Sequence, residues 1–309
     1  MQNKLHYEFE HQAMATQFSI QIVGEEYEDA ETASMLCFQR LDALELVLSR
    51  FVPDSDISRI NRMKSGDELL LDFETWDVLK KAIAIHQKTD GAFDIGVAEY
   101  VDVFRATKQG ILSDFEMVNA LQSVFKKAQN ASIYVDPETP KIYCVQEGMT
   151  FDLGAIGKGF ALDQLSELLE ELSIKNYVIN AGNSSVLAKG VSKNASCWSF
   201  PISSAREEFA VQLNNSAVSA TGTFFQGDHI FDPRIGQNIC NSMYERVWVS
   251  SQSAALSDAY STACFLLEKE QFNELLQNNS EIAWIAISEN GKIQFFTQKN
   301  IPLAQYLIS

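Results

Sequence analysis

Apolar residues recur along this chain at two spacings, one typical of helices and one typical of strands. Residues 28–51 predict a long amphipathic helix, because Leu41, Leu44 and Leu48 fall on one face. The same spacing predicts further helices over residues 74–89, 113–127, 160–172 and 254–267, the second of them capped by Ser113. Alternating or short apolar runs predict strands at residues 18–23, 132–135, 142–145 and 177–180 and around Trp248.

The remaining segments place more strands in the C-terminal half. Residues 197–230 are rich in strand-forming patterns, and residues 281–288 and 292–296 predict a hairpin across Glu289-Asn290-Gly291. Helices and strands are mixed without regular βαβ alternation, which favours an α+β fold with mixed or antiparallel sheets over a doubly wound sheet. The 309 residues, which contain no linker or repeat, suit one large domain or two moderate ones.

The net charge of the chain limits the kinds of molecule that it can bind. A formal net charge of −17, spread along the chain, produces a surface that repels nucleic acids and anionic lipids. A ligand that carries phosphate would be repelled as well, so it would need a local lysine or a divalent cation.

Cysteine usage and the N-terminus indicate a soluble protein in a reducing compartment. The five cysteines are odd in number and widely spaced, without a C-x-x-C, which argues against structural zinc and a disulfide framework. Residues 1–12 lack an apolar core of signal-peptide length, and no run reaches the roughly 18 apolar residues of a membrane span. As it stands, the sequence predicts a cytoplasmic location.

The glycine-rich segment Phe151–Gly159 carries the strongest local signal. Its three glycines, Asp152 and Lys158 stand directly before a predicted helix. Bare backbone, a carboxylate and a lysine at a helix N-terminus are what a phosphate with its metal ion needs. The segment matches neither common nucleotide fingerprint, so a plain strand-to-helix turn with an exposed lysine remains the alternative.

A second cluster lies in the helix predicted over residues 254–267. Asp258, Ser261 and Thr262 share one face there, because they stand at positions i, i+3 and i+4. A carboxylate beside two hydroxyls offers the hard oxygen ligands that suit Mg²⁺ or Ca²⁺. The alternative is that Ser257 or Asp258 simply caps the helix.

Four further segments are weaker signals. Gly227–Gly236 contains His229 between two aspartates, where a histidine can accept a proton near neutral pH, although a polar turn before Pro233 would look the same. The others are Gly91–Gly96, Met14–Thr16 and the stretch Asp42–Asn61.

Taken in order, these six segments resemble the ApbE family, the FAD:protein FMN transferases. That family shows Met-Gly-Thr, Ser-x-Tyr with Ser-x-x-Ser-x-x-Asn, Gly-x-Phe-Asp, Asp-Leu-Gly-Gly-x-x-Lys-Gly, Asn-Ala-Gly-Gly, His-Ile-x-Asp-Pro-x-Thr-Gly and Asp-Ala-x-Ser-Thr-Ala. The matching residues here run from Met14 to Ala263, more than four-fifths of the chain.

The resemblance implies an enzyme that binds FAD and a divalent metal, usually Mg²⁺, with Ca²⁺ or Mn²⁺ as alternatives. It would pass the FMN portion to a threonine hydroxyl of a target flavoprotein, such as a subunit of a membrane redox complex, and release AMP. The implied architecture is a single ApbE-like catalytic domain over residues 1–309, related to the T-fold. It would be made of two interleaved α+β subdomains with FAD in a cleft between them. Many relatives are exported lipoproteins.

The resemblance also assigns roles to residues. The metal would bind the Ala155 carbonyl, Asp258 and Thr262, with Ser261 where some relatives carry a further acid, and His229 would be the catalytic base. The residues that would line FAD are Met14, Phe51, Ala92, Phe93, Asp94, Asp152, Lys158 and Phe231.

Several positions depart from the family pattern. Ala15 and Ala155 replace glycines, Phe51 replaces a tyrosine, Asn183 replaces the last glycine of Asn-Ala-Gly-Gly, and Ile235 replaces a threonine. The positions of the metal ligands and the histidine are kept, so the departures concern the wall of the pocket more than its chemistry. Two alternatives remain open. Water could replace threonine, giving an FAD pyrophosphatase, because the acceptor lies outside this chain. The departures at Phe51, Asn183 and Ile235 motivate the other alternative, a protein that binds FAD without turnover.

Overall fold

The computed structural model of this protein describes residues 5–182, 184–222, 231–238, 243–299 and 301–307. In these residues the helices are α1 (Tyr27–Leu48), α2 (Asp56–Ile60), α3 (Phe73–Lys88), α4 (Ala98–Lys108), α5 (Asp114–Ala128), α6 (Gly157–Glu171), α7 (Ala254–Leu266) and α8 (Lys269–Asn278). The strands are β1 (His6–Ala13), β2 (Thr16–Val23), β3 (Glu68–Leu70), β4 (Ser132–Val135), β5 (Lys141–Gln146), β6 (Tyr177–Ala181), β7 (Ser185–Lys189), β8 (Trp198–Ser203), β9 (Glu208–Leu213), β10 (Ser216–Gly222), β11 (Phe231–Asp232), β12 (Gln237–Asn238), β13 (Arg246–Ser251), β14 (Ile282–Glu289) and β15 (Lys292–Thr297). Within the same ranges, no helix has the length and apolar character that crossing a membrane requires.

The chain divides into two compact units, each folded from separate stretches of sequence. The first comprises Met1–Glu45, Ile156–Phe224 and Met243–Ser309, and the second comprises Leu46–Ala155 and Phe225–Ser242. The boundary between Ala155 and Ile156 therefore falls inside the glycine-rich segment.

The first unit is built on an eight-stranded sheet with the strand order β1-β2-β6-β7-β10-β13-β14-β15. Every neighbouring pair in it is antiparallel. On one face, Val186, Val218 and Trp248 form an apolar cluster with residues of the β8–β9 hairpin. The alternate residues face α7, as the contact between Ser185 and Asp258 shows. The antiparallel sheet with packed helices confirms the predicted α+β class.

The second unit holds a three-stranded sheet with the order β3-β5-β4 and the helices α2 to α5. Ser113 caps α5 as predicted, because its hydroxyl accepts a hydrogen bond from the Glu116 backbone while the Glu116 carboxylate accepts one from the Ser113 backbone. The short helix α2, the strand β3 and the helix α4 were not predicted from the sequence.

The first long helix ends earlier than its apolar pattern predicts. It stops at Leu48 rather than at Phe51, which is exposed. The Ser55 hydroxyl donates to the Ser49 carbonyl at 2.6 Å, and the Ser58 hydroxyl donates to the Arg50 carbonyl at 2.9 Å. Side chains of the following segment thus satisfy carbonyls that another helical turn would otherwise have used.

A two-residue turn joins β1 to β2 and contains Met14 and Ala15, with φ angles of 49° and 57°. Positive φ at both central positions is the mark of a type I′ hairpin, which glycine and asparagine favour. Ala15 stands where the family pattern has glycine, so its Cβ is held in the left-handed region at a cost of about 1–2 kcal/mol.

Replacing this alanine should therefore stabilise the protein. We expect Ala15→Gly to raise the free energy of unfolding by about 1 kcal/mol, after the greater flexibility of glycine in the unfolded chain is subtracted. Urea denaturation followed by circular dichroism measures the change. Ala84→Gly, on an exposed position inside α3, is the matched control and should lower stability by about 1 kcal/mol. A loss of stability in both variants would contradict the strain at Ala15.

Candidate active site

The helices α6 and α7 of the first unit are joined by two carboxylates that point in opposite directions. Asp163 of α6 accepts hydrogen bonds from the backbone N–H groups of Ala254 and Ala255, at 2.7 and 3.0 Å. Asp258 of α7 accepts one from the backbone N–H of Gly159, at 3.1 Å. A Cβ on Gly159 would overlap the Ala254 carbonyl, so only glycine permits this approach. As a result, the Asp258 carboxylate lies at the positive N-terminal end of α6.

The predicted cluster of oxygen donors is present on one face of α7. The Ser261 hydroxyl donates to the Asp258 carbonyl at 2.9 Å, and the Thr262 hydroxyl lies 3.4 Å from the same oxygen. Asp258 and Ser261 are buried, and Thr262 is half-buried. The capping alternative is wrong, because the N-cap of α7 is Ser253, whose hydroxyl accepts from the Leu256 backbone.

Two strand residues that sequence reasoning missed complete this cluster. The Thr221 hydroxyl on β10 lies 2.8 Å from that of Ser261 and 3.2 Å from that of Thr262. The Ser185 hydroxyl on β7 donates to the Asp258 carboxylate at 3.4 Å. No local sequence pattern indicates either residue, because each contacts α7 only as a result of the pairing of strands in the sheet.

A buried serine of β10, Ser219, lies beside Ser185 in the row of side chains that faces α7. Ser219 is paired with Ser185, so both side chains emerge on the face of the sheet that α7 covers. Its hydroxyl is fully buried and has no hydrogen-bond partner among the described residues. Buried polar atoms are normally satisfied, so this row has unused hydrogen-bonding capacity.

These donors suit a hard divalent cation. The Asp258 carboxylate is only 4% exposed, and within the described ranges it has no cationic partner. Leaving a buried carboxylate without compensating charge is costly. No cluster of three or more His, Cys, Asp or Glu side chains suited to a metal occurs in those ranges, so this donor set is one carboxylate with neutral oxygens. Lys158 is the second residue of α6 and is half-buried. Ala155 belongs to the second unit, and the binding of a metal by its carbonyl stays a prediction.

In the second unit, Arg50 fixes Asp152, one of the residues predicted to line FAD. The Arg50 Nε donates to Asp152 at 2.6 Å, and its two terminal nitrogens donate to Asp102 at 3.0 and 2.8 Å. Burial lowers the pKa of Arg50, but the two carboxylates outweigh it and raise that pKa. The other Asp152 oxygen accepts from the Gly154 backbone at 2.7 Å. Sequence reasoning missed Arg50, whose partners are distant in the chain.

The Ser-x-x-Ser-x-x-Asn pattern has a structural role beside this pair. Asn61 bonds both sides of Phe151: its amide donates to the Phe151 carbonyl at 2.9 Å and its oxygen accepts from the Phe151 N–H at 2.6 Å. The motif therefore anchors the start of the glycine-rich segment.

The turn at Gly91–Gly96 places a carboxylate beside a histidine. Ala92 and Phe93 are buried, while Asp94 is half-buried, and the share of all three in binding FAD stays a prediction. The Nδ1 atom of His86, a residue with no role predicted from the sequence, lies 2.9 Å from the Phe93 carbonyl and 3.6 Å from the Asp94 carboxylate. Burial raises the pKa of Asp94, against the opposing effects of the Gly96 N–H and His86.

The remaining predicted residues are distributed over both units. Phe231 is buried and stacks on Tyr100, with ring centroids 3.8 Å apart. Asp232 holds Arg234 through two side-chain hydrogen bonds of 2.9 and 2.7 Å. Met14, in the first unit, is half-buried, and its N–H donates to Glu45 at 2.9 Å. His229 and Asn183 lie outside the described residues.

The fold and the α7 cluster define an α+β protein with a buried oxygen-donor site suited to a divalent cation. The chain belongs to the ApbE family, whose model matches residues 14–286. It is 25% identical over 276 residues to the FAD:protein FMN transferase of Buchnera aphidicola subsp. Schizaphis graminum, covering 85% of this chain and 78% of that protein. It is 25% identical over 292 residues to the FAD:protein FMN transferase of Escherichia coli K12, covering 87% and 80%.

Solved structures support the same fold. The flavin transferase ApbE from Vibrio cholerae superposes with a TM-score of 0.80 at 19% identity, covering 96% of this chain and 98% of that one. The apo flavinyl transferase ApbE from Pseudomonas stutzeri gives a TM-score of 0.78 at 21% identity, covering 96% and 95%.

The raised pKa of Asp94 predicts how stability depends on pH. A carboxyl group whose pKa is higher in the folded state favours folding when protonated, below about pH 4, and this contribution is lost as the pH rises through the folded-state pKa. Asp94→Asn removes the buried charge and keeps an oxygen for the Gly96 N–H. We expect this variant to be more stable than the wild type at pH 7 and to lose that advantage near pH 3, measured by urea denaturation at each pH.

Asp136→Asn is the contrasting control. Hydrogen bonds from the Glu138 and Thr139 backbone lower the pKa of Asp136, so its charge favours folding at pH 7 and its neutralisation should destabilise. Equal effects of the two substitutions at pH 7 would contradict the burial argument for Asp94.

Proposed function

We propose that this protein is an FAD:protein FMN transferase that moves the FMN portion of FAD to a threonine hydroxyl of a target flavoprotein and releases AMP. The observation that carries the proposal is the α7 cluster, in which Asp258 is buried without a cationic partner in the described residues and stands beside Ser261 and Thr262. The names of the curated relatives support the same activity.

Asp258, Thr262 and Ser261 would hold the divalent metal, with the Ala155 carbonyl as the further ligand that the family pattern predicts. When bound, Mg²⁺ would supply positive charge against the pyrophosphate of FAD and its leaving group. Thr221 would fix the two α7 hydroxyls through its contacts of 2.8 and 3.2 Å. Lys158 would add a positive charge in a chain whose net charge is −17.

The transfer itself exchanges one phosphorus–oxygen bond for another. The acceptor hydroxyl attacks the FMN phosphorus, the bond to the AMP phosphate breaks, and AMP leaves with that oxygen. His229 would accept the hydroxyl proton, a role that rests on its sequence motif. The acceptor we propose is a flavoprotein with a target threonine, such as a subunit of a membrane redox complex, and the acidic surface argues against a nucleic-acid partner.

Neutralising Asp258 tests the proposal. Asp258→Asn keeps an oxygen for the Gly159 N–H but removes the charge that would hold the metal, so FMN transfer should fall below detection. The assay incubates protein, FAD and Mg²⁺ with an acceptor domain containing the target threonine and records the FMN mass gain by mass spectrometry. Asp114→Asn, an exposed carboxylate on α5, is the control and should keep full transfer.

Three results would count against this function. Full transfer by the wild type in the presence of a chelator would contradict the metal site. AMP release at the same rate with and without acceptor would instead indicate an FAD pyrophosphatase. Tight FAD binding without AMP release or mass gain, with an acceptor that a known transferase modifies, would indicate a binding protein.

The contact of Thr221 with the α7 hydroxyls predicts a weaker metal site when its hydroxyl is removed. Thr221→Val keeps the shape of the side chain, and we expect the Mg²⁺ concentration for half-maximal AMP release to rise about 30-fold, since its two contacts contribute about 1 kcal/mol each. Thr221→Ser should restore the wild-type value. Thr107→Val on α4 should have no effect, because within the described part of the chain its hydroxyl bonds only the Val103 carbonyl. An unchanged Mg²⁺ dependence in Thr221→Val would exclude this positioning role.

A further inference from the structure

The Ser219 hydroxyl on β10 differs from the other hydroxyl groups that face α7. It is fully buried, and its Oγ has no hydrogen-bond partner among the described residues. Its neighbours on the same face of the strand both contact α7: the Ala217 carbonyl accepts from the Ser257 hydroxyl at 3.4 Å, and Thr221 contacts two α7 hydroxyls at 2.8 and 3.2 Å. Because Ser219 stands between these neighbours, it lies beneath the turn of α7 that carries Asp258.

The other hydroxyls of this row already have partners. Ser185 donates to the Asp258 carboxylate at 3.4 Å, and Ser261 donates to the Asp258 carbonyl at 2.9 Å. Thr221 lies against the hydroxyls at the end of the same turn. Within the described ranges, Ser219 is therefore the one hydroxyl of the row whose donor and acceptor capacity are both unused.

The stability of the fold does not explain a serine at this position. A buried hydroxyl without a partner costs free energy, and an alanine in the same strand position would avoid that cost. Ala217, two residues earlier on the same face, shows that the strand accepts alanine beneath α7. An unsatisfied polar atom beside a candidate active site indicates a water molecule or an ion that uses it.

The divalent cation of the proposed function would bring such a partner. Mg²⁺ demands octahedral coordination and usually keeps several of its water molecules. The α7 cluster offers it one carboxylate, that of Asp258, and the hydroxyls of Ser261 and Thr262, so water or substrate oxygen must complete the shell. A water bound to a cation through its oxygen donates both hydrogens, and in a buried site it needs protein acceptors for them.

We propose that Ser219 is a positioning residue whose hydroxyl accepts a hydrogen bond from a water molecule of the cation that Asp258 holds, and that this contact favours Mg²⁺ over Ca²⁺. The inference rests on the proposed function, because that function supplies the cation. Ca²⁺ is larger and tolerates flexible coordination by more oxygens, so its binding depends less on one fixed water.

The test is urea denaturation of the full-length protein in cation-free buffer and in increasing MgCl₂ or CaCl₂. The rise in stability gives a dissociation constant for each cation. In cation-free buffer, Ser219→Ala should not lower the urea midpoint, since it removes a hydroxyl without a partner. Its dissociation constant for Mg²⁺ should rise about fivefold, which corresponds to one hydrogen bond of about 1 kcal/mol, while that for Ca²⁺ should stay within about twofold of the wild type.

Two further variants separate this contact from general effects of removing a buried hydroxyl. Ser34→Ala on α1 removes another buried hydroxyl of the first unit that has no partner among the described residues. It should behave like Ser219→Ala in cation-free buffer and leave both dissociation constants unchanged. Ser219→Thr keeps the hydroxyl at a strand position, which suits a β-branched residue, and should keep the preference for Mg²⁺.

The outcomes distinguish this proposal from the one on which it rests. The role of Ser219 is refuted, and the proposed function stands, if Ser219→Ala binds Mg²⁺ as the wild type does, loses affinity for both cations equally, or loses stability without any cation. If neither cation stabilises the wild type, with or without FAD, the metal site and the proposed function fail together. A loss of affinity for Mg²⁺ alone, seen in Ser219→Ala and absent from Ser34→Ala, supports the proposal.

Discussion

The two opposed carboxylates between α6 and α7 set the geometry on which the candidate active site depends. Asp163 satisfies the first N–H groups of α7, and Asp258 accepts from the beginning of α6, so each helix end is neutralised by the other helix. Gly159 allows the two backbones to meet without a side chain between them. One consequence is that the Asp258 carboxylate is buried in a fixed orientation, so the proposed cation would bind it without the cost of ordering this side chain.

The strands of the large sheet supply further oxygen atoms beside the Asp258 carboxylate. Adjacent strands place Ser185 and Thr221 under α7, so neutral oxygens surround the single carboxylate. Such a donor set favours hard cations that tolerate hydroxyl and carbonyl ligands, and it disfavours zinc, which prefers nitrogen and sulfur. Because the rest of the surface is strongly negative, a phosphate-bearing substrate would gain attraction only at a few local positions, which makes the location of each arginine and lysine important.

The sequence predicted local features well and distant contacts poorly. Apolar spacing located α3, α5, α6 and α7, and strand patterns located β2, β4, β6 and the β14–β15 hairpin. The helix α4 was missed because only Ala98, Tyr100 and Phe104 of its eleven residues are buried, which gives a weak pattern. The motif on α7 was recognised because its members lie within one helical turn. Arg50 could not be recognised in the same way, since Asp102 and Asp152 stand 52 and 102 residues away in the chain.

The discontinuous composition of the first unit has a consequence for the order in which the chain folds during synthesis. The hairpin of β1 and β2 emerges from the ribosome early, yet the next strand of its sheet, β6, begins only at Tyr177. Meanwhile residues 46–155, which make up most of the second unit, are complete and can fold as a nearly continuous segment. The edge of β2 that pairs with β6 in the folded protein therefore remains without its partner strand while more than a hundred residues are translated. The glutamates Glu8 and Glu10 lie on β1, at the opposite edge of the hairpin, where their charge would discourage that edge from pairing with other chains.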